Sequence, residues 1–259
     1  MLRKRLIFTL IYSNGYFMQS RNFRLQRVGN LEWLEKNYNI QEVSKSLDEL
    51  IILNASRHDE DYTNFCKIIK SVSQKVFIPV SAGGKINKID QVESLFKNGA
   101  DKIVFNSTIY KNPSLVKTAS MKYGSQSIVG SIDYKKDNEK TFRIYRDNGQ
   151  KPILKNLTYH IKKIEKFGFG EIYLNSIDQD GTGFGYDFSV LNGEKINFNL
   201  PLIFAGGAGN YNHLIEGLNH DKISAVATAN LFNFMNDGLV NARDEILSAG
   251  INLANWKNY

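Results

Sequence analysis

The sequence predicts an α/β fold, a closed (β/α)₈ TIM barrel built from two half-barrel repeats that fills residues 1–259 as a single domain. Three observations predict it. Eight short apolar runs alternate with longer amphipathic stretches, as strands and helices do around a parallel sheet. The length of 259 residues is usual for one such barrel, and no linker-like segment interrupts it. The third observation is an internal repeat.

The eight predicted strands follow the apolar runs. In chain order they are Arg5–Tyr12, Glu49–Asn54, Phe77–Ala82, Lys102–Asn106, Ser127–Asp133, Glu171–Ser176, Leu202–Ala205 and Ser224–Ala229. The first run follows a basic start, but it is short and Arg21 and Arg24 come soon after it. We therefore interpret it as a strand rather than a signal peptide. No apolar run reaches the length of a membrane span. We expect a cytoplasmic protein, because a single cysteine allows no internal disulfide and fits a reducing compartment.

Helical spacing is found between these runs. One series consists of Leu31, Leu34, Tyr38 and Val43. Another stretch has Pro113 near its start and Gly124 just past its end, which is the usual placement of proline and glycine around a helix. These stretches predict the helices that cover the outside of the barrel.

Composition and charge narrow the class of partner. Hydrophobic residues make up 42% of the chain, and the net charge is +7. A positive balance suits phosphates and would also suit nucleic acid. The basic residues are spread along the chain, so we expect a phosphorylated small molecule and neither nucleic acid nor a membrane. The single cysteine, Cys66, excludes an internal disulfide, and its helical surroundings favour a packed thiol.

The internal repeat relates the two halves of the chain. Leu53-Asn54-Ala55-Ser56 is echoed by Leu174-Asn175-Ser176-Ile177, and Val80-Ser81-Ala82-Gly83-Gly84 is echoed by Ile203-Phe204-Ala205-Gly206-Gly207. Asn106-Ser107-Thr108-Ile109 is echoed by Ala229-Asn230-Leu231-Phe232. The offsets run from 121 to 123 residues, close to half the length. Three ordered matches at one offset predict two half-barrels of four βα units each.

Each Gly-Gly pair follows a predicted strand. Glycine allows the backbone to approach a ligand and to point N–H groups at it. In a barrel such turns meet at the carboxyl ends of the strands, where phosphates commonly bind. The candidate phosphate-binding residues are therefore Gly84, Asn106 and Ser107 in the first half and Gly207, Ala229 and Asn230 in the second. The alternative is that these glycines only form tight turns.

Asp133 ends the fifth predicted strand and points into the mouth of the barrel. A carboxylate there could act as a general acid or base, or it could cap the next loop. The repeat places Ile11 opposite it, and isoleucine carries no proton. Asp178-Gln179-Asp180-Gly181-Thr182 suits a turn beside a ligand. His58, His160, His213 and His220 show no metal-ligand spacing, and we expect no metal and no cofactor.

Four charged residues open predicted strands at the opposite end of the barrel. They are Arg5, Glu49, Lys102 and Glu171. Two positive and two negative groups could form a ring at the amino-terminal mouth. They could equally be ordinary solvated charges at strand starts.

Several motifs resemble the cyclase subunit (HisF) of imidazole glycerol phosphate synthase. They are Asp178-Gln179-Asp180-Gly181-Thr182 with Gly185-Tyr186-Asp187, Ala205-Gly206-Gly207-Ala208-Gly209, Gly99-Ala100-Asp101-Lys102, and Asn106 with Asn112-Pro113-Ser114-Leu115. The similarity runs from Met1 to Asn252. It implies a lyase of histidine biosynthesis that is a (β/α)₈ barrel partnered in a heterodimer by a HisH-like glutaminase subunit. Ammonia would enter at the amino-terminal mouth and attack a bis-phosphorylated ribotide at the other end.

The resemblance also implies roles for single residues. Arg5, Glu49, Lys102 and Glu171 match a salt-bridged gate to the ammonia passage, and Asp101 matches an acidic residue of the glutaminase contact. Asp133 matches one of two acid/base aspartates, and Asp180 matches a carboxylate beside the substrate. Gly84, Asn106 and Ser107 match the first phosphate site. Gly181, Gly207 and Ala229 match the second.

Other positions depart from the family pattern. Ile11 stands where the family has its second catalytic aspartate, and Gln19 replaces a lysine that orders the substrate. Further departures are Asn54, Asn175, Lys85, Ala205 and Asn230. The loss of one positioned acid or base typically lowers a rate by ~10²–10⁴-fold. These changes predict that the cyclase activity is lost. The four matching charged residues predict that the gate is kept.

Three functions follow as alternatives. The first is a diverged barrel that conducts ammonia from a glutaminase to another acceptor, held by a third amidotransferase protein, in the synthesis of acetamidino sugars for surface polysaccharides. The second is a genuine cyclase of histidine biosynthesis that uses Asp133 alone. The third is a phosphosugar-binding scaffold without catalysis, which would need no gate.

Overall fold

The computed structural model describes residues 3–56, 62–137, 141–192 and 199–254. Within these ranges the strands are β1 (Arg5–Ser13), β2 (Tyr16–Arg21), β3 (Arg24–Gly29), β4 (Glu49–Asn54), β5 (Val80–Gly83), β6 (Lys102–Phe105), β7 (Ile128–Lys136), β8 (Phe142–Arg146), β9 (Lys151–Asn156), β10 (Glu171–Ser176), β11 (Leu202–Ala205) and β12 (Ala225–Thr228). The α-helices are α1 (Leu31–Tyr38), α2 (Ile40–Ser44), α3 (Tyr62–Ser73), α4 (Ile89–Lys97), α5 (Thr108–Lys111), α6 (Pro113–Tyr123), α7 (Leu157–Lys166), α8 (Ser189–Asn192), α9 (Tyr211–Asn219) and α10 (Gly238–Ser248). None of the described helices is long and apolar enough to cross a bilayer.

Eight parallel strands close into a barrel, which confirms the predicted fold. Their order is β10-β11-β12-β1-β4-β5-β6-β7, and β7 pairs with β10 to complete the circle. Parallel strands that are covered on both faces need apolar side chains on both, which explains their continuous apolar runs.

Alternation along each strand divides the core into two clusters. In β1, Leu6, Phe8 and Leu10 point outward and pack under the helices. Ile7 points inward and joins an inner cluster that fills the bore. That inner cluster consists of Ile7, Ile51, Val104, Val129, Tyr173, Ile203, Ala205, Ala225 and Ala227. Since successive side chains alternate, Arg5, Thr9 and Ile11 share the inward face with Ile7.

The predicted helix ends agree with the structure in α6. Asn112 caps it by accepting from the Leu115 N–H, Pro113 is its first residue, and Gly124 follows its end at φ 84°. The predicted helical stretch from Leu31 to Val43 is instead two helices. Asn39 lies between them at φ 45°, a left-handed conformation that stops the first helix.

The predicted start of the third barrel strand was wrong. Strand β5 begins at Val80, and the Phe77 side chain is 96% exposed. Pro79 comes directly before the strand and cannot donate a ladder hydrogen bond, although its carbonyl accepts from the Leu50 N–H. The apolar character of Phe77 therefore does not mark strand pairing.

Two antiparallel hairpins extend the barrel and were not predicted. Strands β2 and β3 follow β1, and strands β8 and β9 follow β7. Each hairpin thus leaves the first strand of one half-barrel at its carboxyl end. The two hairpins stand over the mouth that the sequence predicted to bind ligands.

Candidate functional site

A cavity of about 1170 Å³ opens at the carboxyl ends of the barrel strands. It reaches down the bore to Thr9 and Tyr173, whose hydroxyl groups are 3.3 Å apart. The residues predicted for this end that line the cavity are Gly84, Asn106, Ser107, Asp133, Asp180, Gly181, Gly207, Ala229 and Asn230. The fold therefore brings together side chains from both halves of the sequence.

Asp133 is the buried carboxyl group of β7 at the cavity wall. It is 7% exposed, and the Asn106 Nδ2 atom donates to its Oδ2 at 2.8 Å. Burial raises the pKa of this carboxyl to about 7, and the charge of Asp180 acts in the same direction, while hydrogen bonds from Asn106 and Asn175 oppose the rise. A group with a pKa near neutrality can both take and give a proton, so Asp133 has the properties of a general acid or base.

Ile11 lies on the opposite wall, on β1, and also lines the cavity. It is paired in register with Leu53 of β4 and Met18 of β2. This part of the wall is apolar where the repeat would allow a partner for Asp133. The cavity is thus chemically asymmetric although its scaffold is repeated.

Asp180 holds the β2–β3 hairpin in place. Its Oδ2 accepts hydrogen bonds from the Ser20 hydroxyl at 2.5 Å and from the Phe23 N–H at 3.0 Å. Burial raises the pKa of the Asp180 carboxyl, and both hydrogen bonds counteract that rise. Asp180 therefore joins the cavity wall to the tip of the hairpin above it.

Three residues predicted for a first phosphate subsite line the cavity: Gly84, Asn106 and Ser107. Gly84 has φ 96°, and a Cβ there would lie 2.1 Å from the Asn54 carbonyl oxygen. Lys85, one of the departures from the family pattern, adopts φ 59° and also lines the cavity. The Ser107 hydroxyl accepts a hydrogen bond from the Asp147 N–H at 2.9 Å, so the tip of the β8–β9 hairpin reaches this subsite.

Four residues predicted for a second phosphate subsite also line the cavity: Gly181, Gly207, Ala229 and Asn230. Gly207 has φ 112°, a conformation that favours glycine. The Asn230 Oδ1 atom accepts from the Phe232 and Asn233 N–H groups at 3.2 and 3.0 Å.

At the amino-terminal mouth the four predicted charges form a closed ring. Arg5 contacts Glu49 at 3.1 Å and Glu171 at 2.9 Å, and Lys102 contacts the same two carboxylates at 2.8 and 3.3 Å. Glu49 is 1% exposed and also accepts from the Ser81 hydroxyl at 2.5 Å. This arrangement pairs every charge of the ring twice.

An apolar layer separates the ring from the cavity. Ile7 lies two residues above Arg5 on the inward face of β1, and Thr9, two residues further, already lines the cavity. The buried side chains of the layer are Ile7, Ile51, Val129, Ile203 and Ala225. A polar ring, an apolar layer and a polar cavity therefore follow each other along the barrel axis.

Asp101 lies on the outer rim of the ring-bearing face, directly before Lys102. It is exposed, and its Oδ2 accepts from the Val80 N–H at 2.8 Å. This hydrogen bond fixes the start of β5 and leaves the rest of the side chain open to solvent.

Comparison with known proteins agrees with this architecture. The model of the family described as "Histidine biosynthesis protein" matches residues 34–236. The relative named hisF2 from Parasynechococcus marenigrum is 41% identical over 99% of this chain and 95% of its own. The imidazole glycerol phosphate synthase subunit HisF of Chlorobium limicola is 33% identical over 97% of this chain and 98% of its own, and that of Staphylococcus carnosus is 33% identical over 90% and 91%.

The chain belongs to the HisF family. The 41% match to the relative named hisF2 exceeds the 33% match to the HisF of Chlorobium limicola. This difference fits a paralogue within the HisF family.

Among the described residues, no three His, Cys, Asp or Glu side chains lie close enough to hold a metal ion. His160 packs edge-on against Tyr110, and burial lowers the pKa of its imidazole to about 4. His58 lies outside the described residues. Cys66 is buried in α3, which agrees with a packed thiol.

Sequence reasoning missed two parts of the site. Asp147 and Lys111 line the cavity, and Asp147 lies in the turn of the β8–β9 hairpin. The turn sequence Asn148-Gly149 is a strong hairpin signal, as is Asn14-Gly15 between β1 and β2. Tyr173 and Ser81 could have been found from the alternation of their strands, since both lie on inward faces.

Proposed function

We propose that this HisF-like chain is the synthase-type subunit of a glutamine amidotransferase complex. It receives ammonia from a HisH-like glutaminase in a heterodimer and conducts it through the barrel. The observation that carries the proposal is the closed ring of Arg5, Glu49, Lys102 and Glu171 below an apolar layer. A ring in which each charge is paired with two opposite charges suits a gate better than a catalytic site.

The apolar layer favours neutral ammonia over ammonium. Moving an isolated cation into apolar surroundings is costly, whereas a small neutral molecule avoids that cost. Because Ile7, Ile51 and Val129 are fully buried, passage requires side-chain motion in the layer. Closed packing between deliveries would keep bulk water out of the route.

The mouth at the far end supports an acceptor other than the family's ribotide. Asp133 is present, but Ile11 faces the cavity where the repeat would allow a second carboxylate. We infer that cyclase activity is lost and that a third, acceptor-binding amidotransferase protein receives the ammonia. Acetamidino-sugar synthesis for surface polysaccharides is the context we propose.

Co-expression with the HisH-like glutaminase tests the proposal. We expect the two proteins to co-purify and glutamine hydrolysis to rise when this chain is added. Asp101→Ala should weaken the stimulation, whereas Asp90→Ala, an exposed aspartate in the first turn of α4, should leave it unchanged. Melting curves of both variants separate loss of docking from loss of fold. Absence of stimulation, or equal stimulation by both variants, would reject the proposal.

A genuine cyclase of histidine biosynthesis is the second candidate. The pKa of Asp133 near 7 and its hydrogen bond to Asn106 favour it, since one working acid/base group is retained. Ammonia-dependent turnover of the family substrate, or rescue of a histidine auxotroph, tests it. Turnover that depends on Asp133 would show that cyclase activity survives without a second aspartate at Ile11.

A further inference from the structure

The tip of the β8–β9 hairpin carries an anion next to Ser107 of the predicted first phosphate subsite. The Asp147 carboxylate lies 2.5 Å from the Lys111 Nζ atom, 3.5 Å from Arg146 and 3.8 Å from Lys151. Its backbone N–H donates to the Ser107 hydroxyl. Burial raises the pKa of the Asp147 carboxyl, but the hydrogen bond and charge of Lys111 outweigh it, and the pKa lies below its usual value. The carboxylate is thus ionised among cations at the cavity wall.

These contacts are of the kind that a phosphate would make. Ser107 belongs to the first phosphate subsite, and Lys111 and Lys85 line the same cavity. A carboxylate and a phosphate both accept charge-assisted hydrogen bonds from lysine and arginine. An anion on the same chain also competes at a high effective concentration, which a free ligand must overcome.

We propose that Asp147 is an internal anion that occupies the first phosphate subsite and excludes a bis-phosphorylated ligand from the cavity. It acts as a specificity-determining residue, because an incoming phosphate must displace a carboxylate that is already paired. The proposal deepens the proposed function, since it names the ligand class that the rebuilt mouth rejects. The acceptor compatible with this mouth has at most one terminal phosphate.

Near the predicted second subsite, side chains of the same chain also bind backbone N–H groups. The Gln19 Oε1 atom of the β2–β3 hairpin accepts from the Leu231 N–H at 2.8 Å. Asn230 occupies the Phe232 and Asn233 N–H groups. Backbone donors on this side therefore bind side chains of the same chain. Each hairpin thus places one side-chain oxygen acceptor next to the predicted subsite below it, Asp147 beside Ser107 and Gln19 beside the Leu231 N–H that follows Asn230.

The hairpins also touch each other above the cavity. A Cβ built on Gly149 would lie 2.8 Å from the Phe23 ring, and Asn148 donates to the Ala55 carbonyl at 3.3 Å. The tip that carries Asp147 is thus supported on two sides. This support holds the carboxylate at Lys111 and Ser107.

Phosphate binding to the full chain tests the proposal. Inorganic phosphate is titrated by calorimetry into the wild type, Asp147→Asn and the control Asp137→Asn. Asp137 pairs with Arg143 at 2.6 Å at the base of the same hairpin and does not line the cavity. Asparagine tolerates the φ of 55° at position 147, and Asp147→Gly is a second variant that fits this conformation.

We expect about tenfold tighter phosphate binding in Asp147→Asn and Asp147→Gly, the usual effect of one charge-assisted hydrogen bond. Adding Lys111→Gln to Asp147→Asn should abolish the gain. Equal affinity of the wild type and both position-147 variants would overturn the proposal, as would an equal gain in Asp137→Asn. The assay needs no glutaminase, so its failure is distinguishable from failure of the proposed function.

Discussion

Asp133 keeps the capacity for acid/base chemistry although the position opposite it, Ile11, has no titratable group. Burial on β7 moves the pKa of its carboxyl to about 7, and Asn106 and Asn175 supply hydrogen bonds to it. Ile11 faces the same cavity without a titratable group. The sequence shows directly that these residues are an aspartate and an isoleucine, and the internal repeat predicted that they lie opposite each other. The pKa could not be read, because it depends on burial and on neighbours such as Asn175.

Replacing Asp133 by asparagine should change how stability depends on pH. The pKa of Asp133 is about 7 in the folded state, above its ordinary value of 3.8, so the folded state binds more protons between these values. The contribution of Asp133 is therefore greatest below pH 4 and is lost as the pH rises through 7. Between pH 5 and pH 8, the wild type should lose roughly 2–4 kcal/mol of unfolding free energy relative to Asp133→Asn.

Urea unfolding of both proteins at pH 5 and pH 8 measures this difference. Other titrating groups cancel in the comparison because the two chains share them. A constant difference at the two pH values would show that Asp133 is not buried as described.

The two hairpins are the elements that cover the mouth of this barrel at the carboxyl ends of its strands. Strands β2 and β3 bend over the second subsite, and strands β8 and β9 bend over the first. Asp180 and Gly181 are the residues against which the β2–β3 hairpin packs. A Cβ at Gly181 would lie 1.9 Å from the Ser20 carbonyl oxygen, so close contact requires glycine there.

Gly181→Ala should release the β2–β3 hairpin. Both the clash with Ser20 and the φ of 67° oppose an alanine. Gly183→Ala is the matched control, because Gly183 has φ 72° but its nearest side-chain neighbour is 3.7 Å away. The left-handed conformation costs about 1–2 kcal/mol in both variants. We expect faster trypsin cleavage at Arg21 and Arg24 in Gly181→Ala than in Gly183→Ala. Equal cleavage rates would show that the contact between Gly181 and the hairpin does not hold the hairpin in place.

The barrel elements could be predicted far better than these hairpins. Three of the eight predicted strands, starting at Glu49, Glu171 and Leu202, have the observed bounds. Their apolar runs are continuous because both faces are buried. The hairpin strands mix charged and apolar residues and are largely exposed, as the pattern of β3 shows. Their Asn-Gly turns were the available signal, but where a hairpin tip lands depends on long-range contacts such as Asn148 with Ala55.

At the scale of the whole molecule, the ring joins the two half-barrels. Arg5, Glu49 and Lys102 come from the first half, and Glu171 comes from the second. Glu171 pairs with both cations, so these ion pairs cross between the halves. The sequence predicted that these four residues begin strands. Their mutual distances follow from closure of the barrel, which sequence spacing alone does not fix.

Glu171→Gln should destabilise the barrel more than a surface pair would. The change leaves Arg5 and Lys102 with Glu49 as their shared anion in a site that is mostly buried. We expect a loss of about 1–3 kcal/mol. Glu93→Gln is the matched control, since Glu93 pairs with Lys122 at 2.6 Å at the surface, where solvent screens the two charges and the pair should add little stability. Denaturant unfolding measures the free energy of unfolding of both variants. Equal losses would show that the ring stabilises the barrel no more than a surface ion pair does.

The repeated scaffold with unlike walls also imposes a direction on whatever enters the cavity. Two related halves would accept an elongated molecule equally well in either orientation if their walls matched. Asp133 on β7 and Ile11 on β1 remove that equivalence. A guest that must exchange a proton therefore has one productive orientation, with its reacting atom turned toward β7 and its hydrocarbon side toward β1.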